Sequence, residues 1–224
     1  MSFFKASVKE EDVKQGGGSD YLNGSGVYPV TILGAIANES KNGSITVDLF
    51  VDHNGQKQIV YGNLRITNND GSPNEIGAKI FNQMLIIAGV SDVAEPTEGQ
   101  LPIGKAGALK DVALLEEFTD VEIMLRIQLE YGRYNGSITE KKVIKGFYRA
   151  MDNATAEEIA LEKTPGEGYE RDTNYFDNIT YKDGVTSDDV AAWIAGGRGK
   201  GGAPAGADAA KAPSFGTKRF GSKS

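Results

Sequence analysis

The chain has no cysteine and one histidine, His53. The first absence excludes disulfide frameworks, Cys-ligated zinc, iron–sulfur clusters and thiol nucleophiles. The second leaves no His–His metal pair and disfavours a Ser-His-Asp triad. No run of about 18 apolar residues occurs, so no membrane span is expected. The amino terminus, MSFFKASVKEEDVKQGGGSD, lacks the apolar centre of a secretory signal. The acidic pairs Glu157-Glu158 and Asp188-Asp189 read as helix N-terminal acids offsetting the macrodipole. Asp48, Asp52 and His53 could be imagined as metal ligands, but a hairpin accounts for them more simply. The expectation is a cytoplasmic protein that is not an enzyme and needs no cofactor or metal.

What is present is a compact core with polar appendages: 39% of the 224 residues are hydrophobic, 25% are charged and 29 are glycine. The net charge of −7 is unevenly spread. Residues 198–224 hold six bases and one acid, whereas Asp152 to Asp189 holds eleven acids and three bases. Such asymmetry points to interaction segments more than to fold, and overall acidity does not exclude a nucleic-acid partner, because the local field governs binding.

Four regions are expected. Residues 1–25 are glycine-rich and read as a flexible arm. Residues 26–151 carry the periodic patterns of a folded domain. Residues 152–196 form an acidic, aromatic-rich extension with short helices over 155–163 and 187–195, the latter capped by Ser187. Residues 197–224 are Gly/Ala-rich, basic and expected to be disordered.

Within the domain, Tyr28–Ala37 reads as a strand. Ser44–Asp52 alternates with Ile45, Val47, Leu49 and Val51 on one face, and with Thr46, Asp48, Phe50 and Asp52 on the other. After the hairpin turn His53-Asn54-Gly55, Gln58–Thr67 places Val60, Leu64 and Ile66 inward and Ile59, Tyr61, Asn63 and Arg65 outward. Ile76, Ile80, Met84 and Ile87 have helical spacing over Glu75–Ala88, with Gly89 as the stop. Residues 95–107 read as loop, and Leu109–Phe118 as a short helix or irregular packing. Val121–Tyr131 alternates cleanly, and Asn135-Gly136 turns it into Lys141–Ala150. Three strands, a helix and two strands is the order of the OB-fold, a five-stranded Greek-key barrel. The fold class is thus mainly β: an OB-fold-like barrel with one helix between strands three and four, plus a C-terminal extension. A six- or seven-stranded sandwich using the segment around 95–118 is the rival.

OB-folds bind single strands across strands two and three and the neighbouring hairpin loops. Outward-pointing rings and cations there are Phe50, Tyr61 and Arg65, with Lys41 in the first hairpin. The last hairpin adds Arg133, Tyr134, Lys141 and Lys142, and the fifth strand Lys145, Phe147 and Arg149. A ring stacks on any base, at about 1–3 kcal/mol each, while Lys and Arg neutralise phosphate without reading sequence. An outward aromatic can equally be a cross-strand partner or lie under a covering loop, and Phe50 carries both readings. Tyr169, Tyr175, Phe176, Tyr181 and Trp193 in the extension are expected to pack on the barrel or on a neighbouring protomer.

The run Gly26-Val27-Tyr28-Pro29-Val30-Thr31-Ile32, the second strand after Gly43, the helix ending Ala88-Gly89-Val90 and the late strand Val-Ile-Lys-Gly-Phe-Tyr resemble phage-encoded single-stranded DNA-binding proteins. The likeness covers about residues 26–150 and is a pattern, not a diagnostic motif. It implies coating and protection of exposed strands in replication, recombination or repair, without sequence specificity, with replication or recombination proteins as further partners. Many such proteins end in an acidic recruiting tail; here the last 27 residues are basic. A dimer or a cooperative array on DNA is expected, and RNA is a second candidate ligand because stacking does not sense the 2′-hydroxyl. Two other readings stand beside this one: a self-associating phage assembly protein, and a carboxylate-metal nuclease using Asp48 and Asp52.

Overall fold

The structure, a computed structural model, describes residues 21–197, apart from the side chains at 62 and 63. Most of the expected amino-terminal arm and the whole basic tail from 198 lie outside the described residues. Among the described residues the chain forms two compact units: 21–130 with 142–180, and 131–141 with 181–197.

The fold is mainly β, with eight strands among the described residues rather than five. They are β1 (Gly26–Glu39), β2 (Ile45–His53), β3 (Gln56–Arg65), β4 (Thr97–Leu101), β5 (Lys110–Leu115), β6 (Val121–Tyr134), β7 (Ser137–Arg149) and β8 (Ile179–Tyr181). The α-helices among the described residues are α1 (Glu75–Ala88), α2 (Ala156–Ala160), α3 (Glu167–Asp172) and α4 (Ser187–Ala195).

Local chemistry explains the connections. Asn54 and Gly55 (φ 52° and 81°) turn β2 into β3, and Asn135 and Gly136 (φ 49° and 80°) turn β6 into β7. Two successive positive φ angles are what a tight hairpin needs, and Asn-Gly supplies them at least cost. Asn74 caps α1 by accepting the Gly77 N–H, and Gly89 ends it in the left-handed conformation. The short helices carry capping boxes at Thr155/Glu158 and Thr186/Asp189. The cap of the last helix is therefore Thr186, one residue before the expected Ser187.

In the first unit the antiparallel sheet curls around one core. β1 bridges its two halves, pairing through Gly26–Ile32 with β6 and through Thr31–Glu39 with β2. The inward rows fill that core: Ile32, Val47, Leu49, Val51, Val60 and Leu64 meet Ile123, Leu125 and Ile127 of β6. Met84 and Ile87 of α1 close one side, whereas Ile76, expected on the same face, is 75% exposed. Leu22 is fully buried in this core, so the expected arm already belongs to the fold at that residue.

A second, smaller core explains the extra strands. β4 and β5 form a hairpin, and Leu101, Ile103, Val112 and Leu114 of that segment pack on Leu33, Ile36, Phe50 and Ile59. The seat is cut by glycine. A Cβ at Gly34, in the β-bulge of β1, would lie 2.8 Å from Leu101 Cδ1. The segment 109–118, expected as a short helix or irregular packing, is thus strand β5 followed by a 3-10 turn at Glu116–Phe118. No helix among the described residues is long and apolar enough to cross a membrane.

In the second unit, Tyr131 stacks with Tyr181 (centroids 6.0 Å) and meets Trp193 edge-on (6.3 Å). Gly132 leaves room for Asp183, whose carboxylate accepts the Arg133 N–H at 3.3 Å.

Candidate nucleic-acid interface

Each sequence-derived site residue has a definite place, and the places differ in kind. Lys41, Tyr61 and Arg65 are exposed as expected, with Tyr61 at 50%. The partners of Tyr61 and Arg65 follow from β3's register. Leu49 opposes Val60 and Val47 opposes Leu64, so β3 has two more residues than β2 between these pairs. That irregularity spans Tyr61 to Asn63, keeps Val60 and Leu64 in the core, and leaves Tyr61 and Arg65 on the solvent side. Lys57 is exposed four residues before Tyr61 and extends the row. It is not among the residues expected from sequence, although the alternation 57, 59, 61 carries the signal.

Phe50 is a correction. It does stand opposite the main core row, but the β4–β5 hairpin covers it and leaves it 4% exposed. Phe147 is a second, at 3% exposed. Alternation groups Ile144 with Tyr148 and sets Phe147 outward, yet Ile144 and Phe147 share the main core. Gly146, Phe147 and Tyr148 are consecutively buried, so the strand changes phase around Gly146. The other face of β7 is roofed by the extension: Tyr148 meets Tyr169 (centroids 5.0 Å) and Phe176 (6.0 Å) edge-on. Neither phenylalanine offers a face to a base.

The cations of β7 divide in the same way. Lys145 is exposed and Lys142 half-buried. Arg149 is held by Asp152 through two bonds, Nε to Oδ1 at 2.9 Å and Nη2 to Oδ2 at 2.6 Å. That hydrogen-bonded guanidinium is the main reason the Asp152 carboxyl stays below its ordinary range. Unforeseen from sequence, Arg126 of β6 donates to Asp172 at 3.3 Å and lies against the Phe176 ring face at 5.4 Å. Tyr148 donates to the same Asp172 oxygen at 3.0 Å, and burial pushes its phenol up to about 12. These contacts dock the extension on the sheet, as expected for Tyr169 and Phe176, and they occupy two arginines.

In the second unit, taken alone, Arg133, Tyr134 and Lys141 are exposed around the β6–β7 turn. Tyr134 is the more open ring at 68%, while Arg133 pairs with Asp189 at 3.6 Å. Among the described residues no cluster of acids and histidine is placed to hold a metal ion. His53 is a structural residue here, with Nδ1 2.7 Å from the Pro29 carbonyl oxygen and its ring edge-on to Tyr28. No family model matches the chain, and no curated protein matches it.

Proposed function

We propose that this protein binds single-stranded DNA without sequence preference, through the solvent side of β3, and so coats and protects exposed strands in replication, recombination or repair. The observation that carries the reading is one half-exposed ring, Tyr61, flanked on its own strand by Lys57 and Arg65. A ring between cations stacks a base while the cations neutralise phosphates. In support, the chain order β1-β2-β3-α1 followed by β6-β7, with β1 pairing both β2 and β6, fits an OB-type barrel with the β4–β5 hairpin inserted after its helix. Tyr134 and Lys141 give the second unit a ring and a cation of its own. Phe50, Phe147 and Arg149 leave the contact set; Lys41, Lys142 and Lys145 stay in it as backbone contacts.

Fluorescence anisotropy with labelled oligo-dT, its duplex and an RNA analogue, at two salt concentrations, tests the reading. Preference for the single strand, weakened by salt, is expected, and Tyr61→Ala lowers affinity about 5- to 150-fold, in line with about 1–3 kcal/mol per stacked base. Absence of binding to oligo-dT, or an unchanged affinity in Tyr61→Ala, overturns it.

A self-associating assembly role is the alternative, because β3 hydrogen-bonds only to β2 and β7 only to β6 among the described strands. Open edges of this kind can pair with a second copy. Stable oligomers on sizing together with no response to DNA would favour it.

A further inference from the structure

Between Ile103 and Lys110 the β4–β5 hairpin projects the sequence Ile-Gly-Lys-Ala-Gly-Ala-Leu-Lys, in which Lys105, Leu109 and Lys110 are all exposed, Leu109 at 63%. A large apolar side chain and two cations at a hairpin tip contribute nothing to either core. The hairpin's base, in contrast, is anchored firmly. Leu101 and Leu114 fill the space over Gly34, and Leu114 also fills the space at Gly99, where a Cβ would lie 2.4 Å from Leu114 Cδ1. The tip is closed by its own backbone, with Gly104 N–H donating to Ala108 O at 2.8 Å and Gly107 N–H to Gly104 O at 3.0 Å. Asp111, the acid nearest in sequence, accepts from Gln100 at 2.8 Å rather than from a lysine.

Two isoleucines relate the tip to β3. Ile103 and Ile59 pack in the same small core. Lys105 lies two residues beyond the first, while Lys57 and Tyr61 lie two residues either side of the second. Lys110 pairs with Leu101, which is buried in that same core.

We propose that the β4–β5 hairpin is the second wall of the strand-binding track, with Lys105 and Lys110 neutralising phosphates and Leu109 lying against a base. This inference rests on the reading of β3 given above. It assigns to an inserted hairpin a binding role that the barrel order alone does not require.

The test is a salt titration of oligo-dT binding by the full chain carrying Lys105→Ala and Lys110→Ala together. Each phosphate contact on a single strand contributes about 0.7 to the slope of log affinity against log salt. The double variant is expected to lose about 1.4 from that slope, and Lys105→Arg with Lys110→Arg to restore it. Leu109→Ser weakens binding severalfold at constant slope. Since all three side chains are exposed, circular-dichroism melting of these variants should match wild type. If wild type binds and Tyr61→Ala weakens it, but the double alanine variant keeps both slope and affinity, the hairpin proposal fails and the β3 reading stands. If wild type does not bind oligo-dT at all, both fall together.

Discussion

Replacing Gly77 by alanine puts the packing of α1 to a direct test. Gly77 lies in the first turn of α1, and its N–H is taken by the Asn74 side chain at 3.0 Å. A Cβ built there would sit 1.7 Å from the carbonyl oxygen of Arg65 and 2.6 Å from its carbonyl carbon. Both obstructing atoms are backbone of β3, so no side-chain rotation relieves the clash; helix or strand must move. Propensity alone argues the other way, since alanine is favoured over glycine in a helix by about 1 kcal/mol. Against that stand about 1–3 kcal/mol for over-packing and about 1 kcal/mol for weakening the Asn74 cap as the helix shifts. Glycine to alanine should therefore destabilise by about 1–3 kcal/mol. With a urea m-value of about 2 kcal/mol/M, the midpoint falls by about 0.5–1.5 M. Circular dichroism in a urea titration reads this directly, with Lys79→Ala, at an exposed position of the same helix, as control. The clash falls on Arg65, so the variant should also bind oligo-dT less tightly at temperatures where it remains folded. A Gly77→Ala midpoint at or above wild type, with Lys79→Ala near wild type, would refute the close approach of α1 to β3.

The remaining expectations follow from burial and hydrogen bonding. Phe50→Ala and Phe147→Ala should each lower stability by about 3–5 kcal/mol, as cavities in packed cores do, whereas Tyr61→Ala should change it by less than about 0.5 kcal/mol; urea midpoints separate the two classes. Glu158 is buried, and its carboxylate accepts N–H bonds from Thr155 (2.8 Å), Gly166 (3.2 Å) and Gly168 (2.6 Å). Burial would raise its pKa, but these bonds and the Thr155 hydroxyl together hold it below the ordinary range. With the folded pKa below the unfolded one, its stabilisation is complete above about pH 4.3 and is lost as pH falls through the folded value. Glu158→Gln should cost about 1–3 kcal/mol at pH 7 and flatten the acid limb of a stability profile between about pH 5 and 2, measured by urea midpoint against pH. Burial is the main cause of the raised Tyr148 pKa and the Asp172 charge and hydrogen bond add to it, so Asp172→Asn should lower it only part of the way toward an ordinary value; ultraviolet titration of tyrosine above pH 9 follows this.

What could be read from sequence was whatever depends on local pattern alone. β2 and β6 alternate without interruption, and two Asn-Gly pairs fix their hairpins, so strands, turns and inward rows appear where periodicity puts them. The amphipathic spacing of α1 and its glycine stop were equally legible. The strand pair β4–β5 was not: Thr97–Leu101 has a single apolar residue, and Pro102, Gly104 and Gly107 follow it. Its stability comes from a seat on other strands, which no local window contains. The error at Phe50 descends from that omission. Period two assigned its face correctly, but a face is exposed only if nothing else covers it, and the cover lay fifty residues away. Phe147 failed for a different reason: Gly146 lets the strand change phase, and the extension then buries the side that alternation leaves to solvent. Tyr61 survived because the irregularity in β3 keeps its neighbours Val60 and Leu64 inside while turning the ring out. A ring with cations on its own strand is thus what remains of a longer predicted track, and the hairpin that covers Phe50 carries two exposed lysines. The burial of Phe50 and the proposed cationic wall both follow from the same pair of strands, so if the proposal holds, variants at Tyr61 and at Lys105 with Lys110 weaken the same binding event, and if it fails only Tyr61 does.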